Sequence, residues 1–365
     1  MTTSSAPSAQ PPSHPEVRHG RVGVLLVNLG TPDGTDVASV RRYLREFLSD
    51  RRVIELNPLI WQPILHAFVL TFRPSKSAEA YRAIWLEEEN ESPLRKYTRN
   101  QASLLQDRLP DGGQNLVVDW AMRYGKPSIA ERLEHLKKSG CDRVLLFALY
   151  PQYSATTTAS VHDKAFEALG AMRWQPALRT VPPYHDDPDY IEALARSIET
   201  HLEGLGWKPD AILASFHGLP KVYLEKGDPY HCHCAKTARL LRERLGLDEK
   251  HLRLTFQSRF GKQEWLQPYT DKTLEALAGE GVKSVAVVCP GFVSDCVETL
   301  EEIAIQGREL FLDGGGERFS LIPCLNDSEA SIDLLAKLVE RELQGWLPAT
   351  DSLPAADPKV VPLKR

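Results

Sequence analysis

The residues of this sequence best equipped for chemistry are one histidine and one short acidic stretch. His217 stands in Ala214-Ser215-Phe216-His217-Gly218-Leu219-Pro220, directly after a short apolar run. Imidazole titrates near neutral pH, so a histidine in that position can serve as a base or a metal ligand. Asp295, Glu298 and Glu302 follow Cys289-Pro290-Gly291-Phe292-Val293-Ser294. A helix beginning near Ser294 would set the three carboxylates at i, i+3 and i+7, along one face. Turned into a cleft, that ladder offers hard oxygen ligands and proton acceptors suited to divalent cations and protons. Turned to solvent, it would only favour the helix N-terminus.

Other candidates are weaker. His231-Cys232-His233-Cys234 looks metal-like, but no second ligand pair stands at a zinc-site distance, and alternate residues of an extended segment point apart. Tyr124, Tyr150, Tyr153, Tyr230, Trp265 and Phe292 all follow apolar runs or sit near the chemical motifs, where aromatic rings either fill a core or line a cleft. Phosphate-binding glycine loops and the Gly-x-Ser-x-Gly elbow are absent, which removes the nucleotide-driven and serine-hydrolase readings.

The elements that must position these groups are short continuous apolar runs at 22–29, 116–122, 143–149, 211–216, 252–257 and 284–289. Such runs, separated by amphipathic stretches, predict parallel strands covered on both faces by helices, an α/β fold. The plan repeats. Gly30-Thr31-Pro32, Arg123-Tyr124-Gly125 and Pro151-Gln152-Tyr153-Ser154 in the first half answer to Gly218-Leu219-Pro220, Arg259-Phe260-Gly261 and Pro290-Gly291-Phe292-Val293-Ser294 in the second. The first half carries roughly fifty extra residues between its first two landmarks, including an apolar stretch from Leu56 to Leu70. Two similar Rossmann-like domains are therefore expected at 21–182 and 183–325, followed by a helix at 326–345, with a ligand cleft between the domains at the carboxyl ends of their strands. The Pro-punctuated ends, 1–20 and 346–365, are expected to be loose tails.

Composition narrows the partners. Against 44 Lys and Arg stand 49 Asp and Glu, a net charge of −5 without a basic block, so nucleic acid is not an expected partner. Six scattered cysteines in a chain with no secretory pattern at its start point to reduced thiols and a cytoplasmic location. No apolar run reaches the ~20 residues that span a bilayer; the 56–70 stretch is too short and contains Pro58 and Pro63, so it is an exposed flap, a core piece or a surface anchor.

With these motifs assembled, the sequence resembles the ferrochelatases, which insert ferrous iron into a porphyrin. The resemblance runs from Val22 to about Leu343 and rests on Val27-Asn28-Leu29-Gly30-Thr31-Pro32, Tyr150-Pro151-Gln152-Tyr153-Ser154, Ser215-Phe216-His217-Gly218-Leu219-Pro220, Gly227-Asp228-Pro229-Tyr230, Phe256-Gln257-Ser258-Arg259 and Ser294-Asp295-Cys296-Val297-Glu298-Thr299-Leu300. It implies two Rossmann-like domains clamping the porphyrin, with His217 and Glu298 as the catalytic and metal-meeting pair and Glu302 and Asp295 continuing an acidic path. It further implies Leu29, Ser92, Arg123, Tyr124, Tyr150, Tyr230, Ser258, Trp265 and Phe292 as porphyrin contacts. The 56–70 stretch corresponds to the family's apolar lip, implying peripheral contact with the inner face of a membrane. Fe2+ and protoporphyrin IX are the implied substrates, with no resident cofactor. The cysteine that iron–sulfur members carry beside the Tyr-Pro-Gln-Tyr-Ser segment is Ala155 here, and no cysteine follows Cys324, so a [2Fe-2S] cluster is not expected. Leu29 occupies a slot where coproporphyrin-using relatives tend to have tyrosine, which favours protoporphyrin. Alternatives from the same residues are coproporphyrin III insertion, a cobalt chelatase, and a carrier that binds a tetrapyrrole without turnover. Cys296 replaces a histidine found in many members, so that histidine's role does not transfer, and the oligomeric state is not implied.

Overall fold

The computed structural model describes residues 18–109, 115–261 and 263–347; most of both expected tails lies outside these residues. Two four-stranded sheets, both entirely parallel, account for the repeat. In chain order the elements of the first half are β1 (Arg21–Gly30), α1 (Val37–Leu48), α2 (Pro58–Ile64), α3 (Leu70–Ile84), α4 (Pro93–Arg108), β2 (Leu116–Tyr124), α5 (Ile129–Lys138), β3 (Cys141–Ala148), α6 (Ser160–Gly170) and β4 (Ala177–Thr180). The second half continues with α7 (Pro188–Gly204), β5 (Ala211–His217), α8 (Lys221–Glu225), α9 (Tyr230–Leu245), β6 (Leu252–Gln257), α10 (Thr270–Gly279), β7 (Ser284–Val288), α11 (Val297–Leu300), α12 (Arg308–Asp313), β8 (Arg318–Leu321) and α13 (Glu329–Glu342). Strand order is β2-β1-β3-β4 in one sheet and β6-β5-β7-β8 in the other, the same plan twice.

The two central strands explain the apolar runs. Val27 of β1 pairs with Ala121 and Ala148, and Ala214 of β5 pairs with Leu254 and Val288. Along β1, Leu25 and Val27 face an outer core with Leu133 and Val161, while Val24 and Leu26 face the opposite side. The second sheet repeats this, with Leu213 packed among Leu274, Val285 and Phe311. Both inner faces then merge into one continuous core that joins Leu26, Leu105 and Phe147 to Tyr190, Phe216, Phe256 and Leu335. The halves are thus fused by apolar packing that water does not divide, and α13 reaches back onto α4 as well as α7. Trp346 and Leu347 also pack against this core, so the described end of the chain is not loose.

Glycine closes each central strand for a steric reason. Gly30 has φ +115°, and a Cβ there would sit 1.9 Å from the Tyr124 carbonyl oxygen; at Gly218 a Cβ would sit 2.7 Å from that of Gln257. Each glycine lets the chain leave its strand across the neighbouring one. The equivalence continues where Met122 N–H donates to Pro127 O and Phe256 N–H donates to Pro268 O. The true counterpart of Gly125-Lys126-Pro127 is therefore the end of a longer connection, so Arg259-Phe260-Gly261, which the sequence aligned with Arg123-Tyr124-Gly125, occupies an insertion. The first-half insert forms a lip, α1 to α3, whose own core contains Val40, Tyr43, Leu44, Leu65, Leu70 and Tyr81.

Candidate active site

A cleft of about 690 Å³ lies at the carboxyl ends of β1, β3, β5 and β6, where the topology places it. Asn28, Leu29 and Tyr150 line it from the first sheet, Trp61, Arg73 and Tyr81 from the lip, and His217, Ser258, Trp265, Phe292, Glu298 and Glu302 from the second half.

His217 is the last residue of β5, so the rigid centre of the second sheet aims it. Its Nδ1 lies 2.6 Å from the Gly218 carbonyl oxygen. A carbonyl only accepts, so Nδ1 is the donor, and the tautomer this selects has its lone pair on Nε2. Phe292 packs beside it, ring centroids 6.4 Å apart.

The acidic wall is built differently from the expected ladder. The helix starts at Val297 rather than near Ser294, runs only to Leu300, and passes into a π-helical turn at Glu302–Gly307. Glu298 and Glu302 both line the cleft. Glu302 accepts from Ser258 N–H at 2.6 Å and from Ser258 Oγ at 2.5 Å. Ser258 makes both bonds from the left-handed backbone region, φ +67°, a conformation uncommon for a side chain-bearing residue. Burial pushes the Glu302 carboxyl above its ordinary pKa, the Ser258 bonds and nearby His217 pull it down, and Glu298 pushes it up. Gln257 donates to the Glu298 carbonyl at 2.7 Å and accepts from Ser215 Oγ at 2.7 Å, linking the acidic turn to the sheet that carries His217. Sequence reasoning quoted Gln257 within a motif without seeing this role.

Asp295 stands outside the cleft lining and precedes the helix. Its carboxylate accepts from Thr299 Oγ1 (2.9 Å), Asn326 Nδ2 (2.7 Å) and Cys324 N–H (3.4 Å), so it ties the acidic turn to the chain after β8. Of the three carboxylates expected to form a path, Glu298 and Glu302 line the cleft and Asp295 does not.

Leu29, Tyr150, Tyr230, Ser258, Trp265 and Phe292 line the cleft together with His217, Glu298 and Glu302; Ser92, Arg123 and Tyr124 do not. Ser92 caps α4, accepting from Arg95 N–H at 3.2 Å. Arg123 donates to Asp50, to the Ser160 carbonyl at 3.0 Å and to Ser160 Oγ at 2.6 Å, and Tyr124 Oη donates to the same Asp50 carboxylate at 2.7 Å. These bonds anchor the base of the lip, because Asp50 lies just after α1. Among the described residues lining the cleft, the cations are Arg73, Lys226 and Arg259. Lys226 pairs with Glu55 and Arg259 with Asp271, whereas Arg73 has no carboxylate at ion-pair distance among the described residues. Arg73 was missed because it lies in a lip whose apolar character dominated its reading. Tyr150 Oη and Trp265 Nε1 are buried cleft atoms without a hydrogen-bond partner, polar groups that a bound ligand could satisfy.

His231-Cys232-His233-Cys234 forms the first turn of α9 and is divided among environments. Cys232 is exposed, Cys234 is buried, His231 stacks on Phe256 and His233 stacks on His185. Among the described residues, no group of three or more His, Cys, Asp or Glu side chains is placed to hold a metal ion. No described helix is long and apolar enough to cross a membrane.

The ferrochelatase family model matches residues 21–343. The chain is 66% identical over 335 residues to a ferrochelatase of Rhizobium meliloti, covering 92% of this chain and 98% of that one. The chain belongs to the ferrochelatase family. A ferrochelatase of Brucella ovis is 59% identical over 340 residues, covering 93% of this chain and 96% of that one. Family membership makes the chain a metal-chelating lyase of haem synthesis. Among solved structures, SirB of Bacillus subtilis with Fe3+ has a TM-score of 0.52 at 12% identity, covering 88% of this chain and 95% of that one. DR2241 of Deinococcus radiodurans has a TM-score of 0.51 at 11% identity, covering 87% of this chain and 55% of that one. The latter two likenesses concern the fold alone.

Proposed function

We propose that this ferrochelatase-family enzyme inserts Fe2+ into protoporphyrin IX, giving protohaem and two protons. The observation that carries the reading is the meeting of His217, its Nε2 lone pair free, with Glu298 and Glu302 in one largely apolar cleft. A flat porphyrin cannot direct its pyrrole lone pairs at an incoming ion while two N–H protons occupy its centre. A closed cleft that fits a bent macrocycle would use binding energy to bring the ring towards the transition state. His217 and Glu298 then accept the pyrrole protons and guide the partly dehydrated ion, and Glu302, whose pKa burial raises, passes protons onward. Leu29, Tyr150, Tyr230, Trp265 and Phe292 supply the apolar and aromatic walls. Arg73, the cleft cation with no carboxylate at ion-pair distance among the described residues, is suited to a carboxylate on the macrocycle rim, whereas Arg123, Tyr124 and Ser92, expected as porphyrin contacts, stand outside the cleft lining. The mechanism uses no resident cofactor.

The same reading places the enzyme in the cytoplasm at the inner membrane face. The lip exposes Leu56, Leu59, Ile60, Phe68 and Phe72, a surface suited to a lipid interface through which an apolar porphyrin could be received. Leu29 at the end of β1 supports protoporphyrin over a more carboxylated ring. The test is an anaerobic Fe2+ insertion assay on protoporphyrin IX and coproporphyrin III, followed by loss of porphyrin fluorescence. Multiple turnovers with a higher kcat/KM for protoporphyrin are expected. A preference for coproporphyrin overturns the substrate assignment, and stoichiometric binding without turnover marks a carrier.

A further inference from the structure

Arg73 and Phe260 approach the cleft from opposite halves of the molecule. Arg73 lies on α3 of the lip, and Phe260 lies in the long connection that follows β6. The guanidinium carbon sits 5.2 Å from the Phe260 ring centroid. Both side chains line the main cleft, and both also line a second cavity of about 300 Å³ whose remaining wall is Leu48, Trp61, Phe68, Val69 and Phe72. Those five are apolar, so this smaller cavity gives the guanidinium no anionic partner. Phe260 is itself held, edge to face, by the buried Trp265 at 5.4 Å between centroids and 62° between planes. Trp265 is fixed in turn by its bridge to Pro220, next to the strand that carries His217.

A long arginine side chain without a carboxylate has many accessible rotamers, and fixing one before the ligand arrives needs a surface to rest on. An aromatic face provides that surface without using the N–H donors along the guanidinium edge. We propose that Phe260 is a positioning residue that holds Arg73 with its donor edge free for a carboxylate on the rim of the macrocycle. The proposal rests on the reading that Arg73 receives that carboxylate. A second consequence is mechanical. The Arg73–Phe260 contact joins the lip to the opposite wall, so the same ring that orients the cation also closes the cleft at the boundary between the two cavities.

The experiment compares protoporphyrin IX with its uncharged dimethyl ester, in one detergent, for the wild type, R73A, F260A, F260L, F260Y and the R73A/F260A pair. Thermal unfolding is recorded for each. Loss of one cation–π contact predicts that F260A and F260L raise KM for the dicarboxylate by about 2–30-fold, with a smaller change for the ester. F260Y, which keeps the ring face, should restore the wild-type ratio of the two KM values. In the R73A background, F260A should add little, because the two residues act through one contact. An equal rise for acid and ester in F260A, or a wild-type ratio in F260L, overturns the role of Phe260. An R73A enzyme whose acid-to-ester ratio matches the wild type overturns the reading of Arg73 on which the proposal stands. R73A with an altered ratio beside F260A with an unaltered one overturns Phe260 alone.

Discussion

A carboxylate can serve the acidic wall in two ways, and the hydrogen bonds separate them. Glu302 presents its group to the cleft while Ser258 steadies it, whereas Asp295 spends both oxygens on Thr299, Asn326 and Cys324. Asp295 is 4% exposed, so its removal leaves buried donors unpaired. Asp295→Ala is expected to lower unfolding free energy by about 2–4 kcal/mol in denaturant titration, with Asp295→Asn losing less. A proton-relay role would show the opposite pattern, normal stability with lost turnover in both variants. The same distinction explains what could be read in advance. His217, Glu298 and Glu302 could be singled out because His217 ends an apolar strand and the two carboxylates recur at helical spacing after the last long apolar run, and the fold brings all three to the cleft. Arg123, Tyr124 and Asp295 stand outside the cleft lining, and the sequence did not show this because their partners Asp50, Ser160 and Asn326 lie far away in the chain. Side-chain type shows what a residue can do; only its distant neighbour shows whether it is free to do it.

At the scale of elements, six of the eight strands announced themselves as apolar runs: the inner β1, β3, β5 and β7 because both their faces are covered, and the edge strands β2 and β6 because they are longer and still largely packed. β4 and β8, with the sequences ALRT and RFSL, are four-residue edge strands whose residues remain partly exposed, so no apolar run marked them. The acidic helix started later than expected because Cys296 is extended and caps it, while the Asp295 carboxylate is taken up by Thr299 and by the chain after β8. The lip was visible as an apolar insert, yet its internal division was not. Val40, Leu65 and Leu70 turn inward to a small core while Leu59, Ile60, Phe68 and Phe72 turn outward. This division carries a prediction. Replacing Leu59 and Phe68 together by Asp should abolish flotation with anionic phospholipid vesicles, while the thermal transition stays near wild type because both positions are exposed. Undiminished flotation would show that this surface does not meet the lipid.

For the whole molecule, one shared core predicts that the halves unfold together and that a titration at their junction is felt by both. Such a junction exists where His185, ahead of α7, stacks on His233 of α9 at 3.6 Å, and Tyr153 N–H donates to His233 Nδ1. Asp186, Asp228 and Lys236 are the charged groups around the pair. Burial lowers both pKa values, that of His185 to about 4, helped there by the charge of His233. Burial likewise lowers those of His162 and His201. A histidine depressed in the folded state binds its proton more readily when unfolded, so stability falls as pH drops from about 6.5 towards 4. Glu131, held at about 2 by Lys126 and the Ser128 cap, and Glu192, held at about 2 by Arg244 and Arg196, lose their contributions only below about 4.5. Unfolding midpoints measured from pH 7 to 4.5 should therefore decline, and His185→Phe should flatten the decline; a flat wild-type profile contradicts the assignment. The central claim, that His217 and the two carboxylates metallate a bound porphyrin, meets its most direct test in anaerobic Fe2+ insertion by wild type and His217→Ala at equal porphyrin occupancy. The account predicts multiple turnovers by the wild type and a loss of about 10²–10⁴-fold in kcat for the variant, with porphyrin still bound. A variant that retains most of the wild-type rate would contradict it.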